Sequence, residues 1–345
     1  MQKNDNTTTD PDKLAHYLKD RLPGYRGGPL RLEKFAAGES NPTFRLLSEE
    51  GSWVLRRKPP GELLASAHAV DREYRLLQAL QNSKVPVATP YLLCEDESVI
   101  GSMFYVMSHE DGQVFWDPAL PEIDRGQRPD YYHALIGTLA DLHEVDHEAV
   151  GLADFGRPGN YFARQLNRWR RQYEASATES IPAMDELMDW LDQALPEDDG
   201  ETTLIHGDYR LDNVMFHHGE PRPRAVLDWE LATLGHPMAD LAYYCMALRL
   251  PREGEMRGLD GADLEALNIP GEEELIALYC SRRGIGPIRH WPFYLAFSFF
   301  RLAAILQGVY RRGLEGNASS QRAQRMGKLV HPLASMGLAI TKNQS

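Results

Sequence analysis

The chain has 345 residues, enough for two lobes at roughly 150 residues each. Hydrophobic residues make up 43% and charged residues 25%, an ordinary globular composition that excludes wholesale disorder. Thirty-seven basic residues against 50 acidic ones give a formal net charge of −13, which argues against nucleic acid or an anionic membrane as partner. Cys94, Cys245 and Cys280 make neither a metal-ligand spacing nor a disulfide framework, so a reducing, cytoplasmic compartment is expected.

The polar opening MQKNDNTTTDPDK lacks the apolar core of a signal peptide, and residues 1–12 read as a frayed tail. From Leu30 to about Ser108 the pattern is β-rich. Strands are expected at Leu32–Ala36, Thr43–Leu47, Trp53–Arg57 and Met103–Met107, with turns at Gly38–Pro42 and Glu49–Ser52. One helix interrupts them, where Ala69, Val70, Tyr74, Leu76, Leu77 and Leu80 recur near helical period. After Gly112 helices dominate: Tyr131–Val145, Tyr161–Ala177, Pro182–Ala194, Met238–Leu248, Glu272–Arg283 and Trp291–Arg312. A small β island, LIHGD, NVMFHH and AVLD, sits among them, and residues 251–274 read as a long surface insertion. Trp291–Tyr310 is the longest apolar stretch, but Pro292, Arg301 and Gln307 interrupt it, so it reads as a buried core helix in a soluble protein. The fold class is α+β: a small β-rich lobe over residues 1–107 and a large helical lobe over 108–345, with a ligand cleft between them.

The densest chemical signal is LIHGDYRLDNVMF. A strand delivers His206, and a tight loop then places Asp208 and Asn213 before the next strand. Downstream, AVLDWE ends a further strand on Asp228. Phosphoryl transfer to a hydroxyl needs this set: a carboxylate to take the proton, and an amide oxygen with a second carboxylate to hold Mg²⁺ on nucleotide phosphates. Upstream, Gly38, Ser40 and Asn41 lie in a loop between two strands, where backbone N–H groups can fold over phosphates. The next strand brings Arg56, Arg57 and Lys58, and the following helix brings Glu73, a cation and carboxylate suited to holding the α- and β-phosphates. Strand alternation puts Arg56 and Lys58 on one face and Arg57 on the other. Ser108 and Glu110, after the last strand of the small lobe, are positioned to connect the lobes and offer backbone groups to adenine.

In this order the motifs resemble the aminoglycoside phosphotransferase/choline kinase-like superfamily over about residues 30–310, with HGDYRLDN and VLDWELATLG as the specific part. SNPTFRL, VLRRKPPGELLASAHAVDREY and YFARQLNRWRRQY resemble the branch associated with acyl-CoA dehydrogenases. The resemblance implies a bilobal protein-kinase-like fold and an ATP- and Mg²⁺-dependent transfer to a small hydroxylated substrate, in that branch a hydroxyacyl compound rather than an antibiotic. It implies Asp208 as catalytic base, Asn213 and Asp228 as metal ligands, Glu73 as the helix carboxylate, and Ser108 with Glu110 as hinge. Where the family's nucleotide lysine stands this chain has Arg56, beside Arg57 and Lys58, and the choice among the three stays open.

Other residues carry lesser readings. Arg164, Arg168 and Arg171 share one face of a helix that holds no acid until Glu174, a basic surface suited either to coenzyme A phosphates or to solvent. Arg210 stands beside Asp208, to meet substrate or to close a loop ion pair. His206 is read as a brace, His143 as a packed histidine, Asp240 as a residue that caps or pins the metal loop, and Glu230 as either metal-adjacent or structural. Two rival functions remain. His206-x-Asp208 and His236-x3-Asp240 could serve a metal-dependent phosphohydrolase, and the missing lysine could mark a nucleotide-binding pseudokinase.

Overall fold

The computed structural model describes residues 10–35, 41–59, 69–315 and 320–342. Gly38 and Ser40 of the phosphate-loop reading lie outside these residues, as does Ala36 at the end of the first expected strand. The small lobe opens with helix α1 (Pro11–Leu18), where a frayed tail was expected over 1–12. Asp10 explains the difference: its Oδ1 accepts from the amides of Asp12 and Lys13, and Pro11 pre-sets the first turn. Leu14 and Leu18 then seal the lobe's core against Trp53, Leu55 and Phe104.

Strands β1 (Arg31–Lys34), β2 (Thr43–Ser48), β3 (Gly51–Arg57), β4 (Pro90–Cys94) and β5 (Phe104–Ser108) form one antiparallel sheet in the order β1-β2-β3-β5-β4, with helix α2 (Val70–Leu80) inserted after β3. The sequence named no strand at β4, whose YLLC run lacks clean alternation and carries a register shift. In β3 and β5, paired antiparallel, Arg56 stands opposite Tyr105. That register points Arg56 toward α2.

Beyond β5 the chain is mainly helical: β6 (Gln113–Val114), α3 (Arg128–His143), α4 (Tyr161–Ser176), α5 (Pro182–Gln193), β7 (Thr203–Ile205), β8 (Val214–Phe216), β9 (Pro223–Val226), β10 (Thr233–Gly235), α6 (Met238–Leu248), α7 (Leu264–Leu267), α8 (Glu272–Arg283), α9 (Trp291–Leu314), α10 (Ser320–Gly327) and α11 (Val330–Lys342). The expected β island divides into two ribbons: β7 pairs with β10, while β8 pairs with β6 and β9. This split leaves the loop from His206 to Asn213 crossing from one ribbon to the other, framed on both sides.

Helix α9 is long and apolar enough to cross a membrane by length and composition, yet 83% of its most apolar window is buried inside the protein. It packs against α4, α6, α10 and α11, so its apolar run is explained by burial on nearly every face. The insertion at 251–274 also belongs to the packed structure. Its amides at Leu259 and Asp260 bond back to Leu248 and Leu250, and α7 docks through carbonyls that accept from Arg125 and Arg128.

Candidate active site

The HGD turn is held through its backbone. The amides of His206 and Gly207 donate to Oδ2 and Oδ1 of Asp240, at 2.6 and 2.8 Å, and the Gly207 carbonyl accepts from Arg301 at 2.6 Å. Asp240 had been expected at the metal loop. It pins the turn before Asp208 instead, from the first turn of α6. Gly207 sits at φ +85°, and a Cβ there would stand 2.6 Å from the Leu231 carbonyl oxygen, so only glycine fits.

His206 has a fixed proton. Its Nδ1 accepts from the Asp208 amide at 3.2 Å, so Nε2 carries the hydrogen and donates to the Leu227 carbonyl at 2.8 Å. The ring braces the catalytic loop against the strand that leads to Asp228, and neither nitrogen is left to act as a base.

Asp208 emerges half-buried from this turn. Asn213 donates its Nδ2 to the Asp208 carbonyl at 2.8 Å and to the Asp208 carboxylate at 3.2 Å, leaving its Oδ1 as an acceptor of the kind a hard cation takes. Tyr243 also hydrogen-bonds Asp208. Arg210 lies at 3.7 Å from Asp208 but makes its close pair, 2.6 Å, with Asp212. Asp228 occupies the left-handed region at φ 59°, an uncommon conformation for a non-glycine residue and one that clusters at ligand clamps.

Of the three candidate cations, Arg56 meets the helix carboxylate: its Nε is 2.8 Å from Glu73, and its Nη2 is 3.1 Å from Asp228 and 3.6 Å from Glu230. Burial works against the guanidinium charge, but Glu73, Tyr105, Asp228 and Glu230 together push its pKa up. Glu73 also receives Asn41 Nδ2 at 2.8 Å and the Tyr105 hydroxyl at 3.1 Å, so every partner of this buried carboxylate is a donor, as its ionised form requires. Asn41 thus faces Glu73. Arg57 points the other way and donates to Ser102 at 3.0 Å.

At the inter-lobe connection the Ser108 amide is already spent on the Thr89 carbonyl, so it is not offered to a base. The Ser108 hydroxyl donates to Glu110, and Glu110 pairs with Arg224 at 2.9 Å.

A cavity of about 590 Å³ opens at Asp208 and Arg210, walled by apolar side chains such as Leu248, Leu302 and Leu306. Gly254, Glu255, Met256 and Arg257 of the 251–274 segment line it, so the expected surface insertion is a wall of the site. Arg322 from α10 lines it as well. The three arginines of α4 do not. Arg164 donates to the carbonyls of Arg157 and Pro158, Arg171 to that of Asn167, and Arg168 lies over Trp169, so this face is spent on its own helix and the preceding loop. No sequence pattern marks Arg257 and Arg322. Arg301 did leave a signal, as the one charge inside the apolar stretch Trp291–Tyr310.

A second cavity, of about 1060 Å³, holds Asp199, Glu201 and His236, whose donor atoms lie within 4.8 Å of one another. His236 Nδ1 accepts from the Met238 amide, so Nε2 carries the proton and donates to Asp199. A metal-bound histidine shows the opposite pattern, a bare ligating nitrogen with the other N–H donating.

The model of the phosphotransferase enzyme family matches residues 31–276. The chain belongs to this family. Acyl-CoA dehydrogenase family member 10 of Mus musculus is 48% identical over 326 residues, covering 94% of this chain and 30% of that protein. Family member 11 of Gallus gallus is 46% identical, covering 97% of this chain and 44% of that protein. The chain therefore spans less than half the length of these curated relatives. Among solved structures, a candidate aminoglycoside phosphotransferase from Ralstonia eutropha JMP134 superposes with a TM-score of 0.88 at 49% identity, covering 96% of this chain and 98% of the other. The macrolide 2'-phosphotransferase MphH of Brachybacterium faecium, at 20% identity and a TM-score of 0.60 over 93% of this chain and 98% of that one, shares the fold. The bilobal kinase-like architecture is thus that of a phosphotransferase, in the branch whose curated relatives are named acyl-CoA dehydrogenases.

Proposed function

We propose that this phosphotransferase moves the γ-phosphoryl group of ATP, with Mg²⁺, onto a hydroxyl of a chain-bearing anionic acceptor, and that the acceptor class is hydroxyacyl-CoA. One observation carries the reading: the cavity at Asp208 combines an apolar wall with Arg257 and Arg322. An acyl chain suits that wall, and guanidinium groups suit phosphates. The names of the relatives, acyl-CoA dehydrogenases, point to the same chemistry.

The geometry supports the following roles. Asp208, oriented by Asn213 and Tyr243, accepts the acceptor's proton as the hydroxyl oxygen bonds to the γ-phosphorus and the bond to the β-phosphate oxygen breaks, releasing ADP. Asn213 Oδ1 and the Asp228 carboxylate are the donor set for Mg²⁺, which supplies charge neutralisation on the phosphates when bound. Arg56 clamps phosphate in place of the family's lysine, with its fork geometry set by Glu73.

Neither rival fits the side chains as well. A phosphohydrolase would ligate metal through His206 and His236, whose ring nitrogens are committed to backbone and carboxylate partners, and through Asp240, which holds two amides. A pseudokinase would not need Asp208, Asn213 and Asp228 all in place. The test is an ADP-release screen with ATP and Mg²⁺ over hydroxyacyl-CoAs, free hydroxy acids, amino alcohols and aminoglycosides. Turnover confined to the CoA esters supports the proposal. Equal rates with free hydroxy acids, or robust rates with aminoglycosides, overturn the acceptor assignment.

A further inference from the structure

A chain of buried hydrogen bonds runs behind the catalytic turn. Asp240, fully buried, receives the amides of His206 and Gly207 on its two oxygens. His143 Nε2 stands 3.4 Å from the same Oδ2, and His143 Nδ1 lies 2.7 Å from the Tyr279 hydroxyl. Arg283 then reaches Tyr279 with Nη1 at 3.1 Å and Glu201 with Nη2 at 2.9 Å. His143 and Tyr279 are as buried as Asp240.

The proton directions in this chain are set at its two ends, by an arginine that only donates and a carboxylate that only accepts. Arginine has no acceptor, so Arg283 must donate to the phenol oxygen of Tyr279. The phenol hydrogen is then free for His143 Nδ1. With Nδ1 accepting, a neutral His143 carries its hydrogen on Nε2, which faces Asp240. Burial favours that neutral form. Asp240 therefore collects a third donor, which helps a buried carboxylate keep its charge and so its grip on the turn. The other tautomer of His143 would aim a bare nitrogen lone pair at the Asp240 carboxylate.

We propose that Arg283 is a positioning residue for the catalytic turn, acting through Tyr279, His143 and Asp240 to fix where Asp208 stands. Glu201 completes the device. It lies just before β7, and His206 follows β7, so the network grips that strand at both ends. The relevance to catalysis rests on the phosphoryl-transfer reading of Asp208. The network itself is independent of it.

The test compares substitutions that preserve or invert the donor. Arg283→Lys still offers only donors to the phenol, whereas the amide oxygen of Arg283→Gln can accept the phenol hydrogen. Nitrogen-15 spectra of the full chain should show His143 in the Nε2–H form in the parent and in Arg283→Lys. Arg283→Gln and Tyr279→Phe should shift the His143 signals away from that form. Amide exchange at His206 and Gly207 should accelerate at least tenfold in those two variants and stay within threefold in Arg283→Lys. Slow hydrolysis of MgATP, with water as acceptor, should fall in parallel in the same two variants while the KM for ATP holds within twofold. The inference is overturned by an Nδ1–H form in the parent, or by unchanged exchange at His206 and Gly207 in folded Arg283→Gln. If Tyr279→Phe fails to fold, the Lys and Gln variants at Arg283 decide alone. If MgATP hydrolysis is altered equally in all variants while the spectra and exchange behave as stated, the positioning network stands and the phosphoryl-transfer reading of Asp208 is what fails.

Discussion

Arg56 and Glu73 meet at 2.8 Å, with side chains only 10% and 5% exposed, across the gap between the central strand of the small lobe and its one inserted helix. The Nη2 of the same guanidinium also reaches Asp228, in the segment that follows β9. The forked guanidinium does both at once from separate nitrogens held in one plane, Nε toward Glu73 and Nη2 toward Asp228. The arginine that departs from the family pattern therefore ties the helix carboxylate to a metal-ligand candidate.

Removing Arg56 outright would strand a buried carboxylate, at a cost of about 3–5 kcal/mol, so the informative change is Arg56→Lys. It should fold and raise the KM for ATP about tenfold, through loss of the bidentate clamp. Arg57→Ala should lower thermal stability, because Arg57 pairs with Ser102, and leave the KM for ATP within twofold. Steady-state kinetics with varied ATP and melting curves for both variants check this. A larger ATP effect at Arg57 would reassign the clamp.

Asp208→Asn should keep nucleotide affinity and lower kcat by roughly 10²–10⁴-fold, since an amide cannot take the acceptor's proton. Asp228→Ala should instead abolish the Mg²⁺ dependence of ATP affinity, measured by calorimetry with and without the metal. Unchanged MgATP affinity in that variant would remove Asp228 from the donor set.

Charge reversal at Arg257 should raise the KM for a hydroxyacyl-CoA by tenfold or more, because a charge-assisted contact is worth about 1.5–3 kcal/mol. Arg257 pairs only loosely with Asp117, at 3.6 Å, which leaves its charge available. The same change at Arg164 and Arg168 on α4 should move that KM by less than threefold. The reverse ranking would return the acceptor's anionic end to α4.

Burial lowers the pKa of His143 below its ordinary value of 6.5, against the pull of Asp240. The unfolded chain therefore binds the proton first as pH falls, so stability should drop as pH falls below about 6.5 and stop dropping below the folded-state pKa. Asp240 adds a second acid-side loss. Burial alone would raise its carboxyl, but the hydrogen bond from His143 and the amide of His206 hold it below the usual carboxylate range. Its contribution is present above the ordinary carboxylate pKa and is lost as pH falls through the lowered one. Melting temperatures from pH 7.5 to 5 should fall less steeply in His143→Gln than in the parent. Equal slopes would show that His143 is not buried neutral.

The sequence by itself determined the helices Met238–Leu248 and Glu272–Arg283 to the residue, most strands of the small lobe, and the loop that holds Asp208 beside Asn213. Each of these is written locally, in a period of burial or in a short loop whose spacing carries its chemistry. It also put Arg56 and Arg57 on opposite faces, because alternation along a strand is a two-residue rule. Only the tertiary structure decided that Arg56 finds Glu73 and Asp228, that Asp240 holds the turn at Gly207, and that Arg257 and Arg322, rather than the α4 arginines, line the cavity at Asp208. A side chain's own period tells which way it faces and nothing about what stands there. Those partners lie tens to hundreds of residues apart, and only the packing of separate elements brings them within a bond's length.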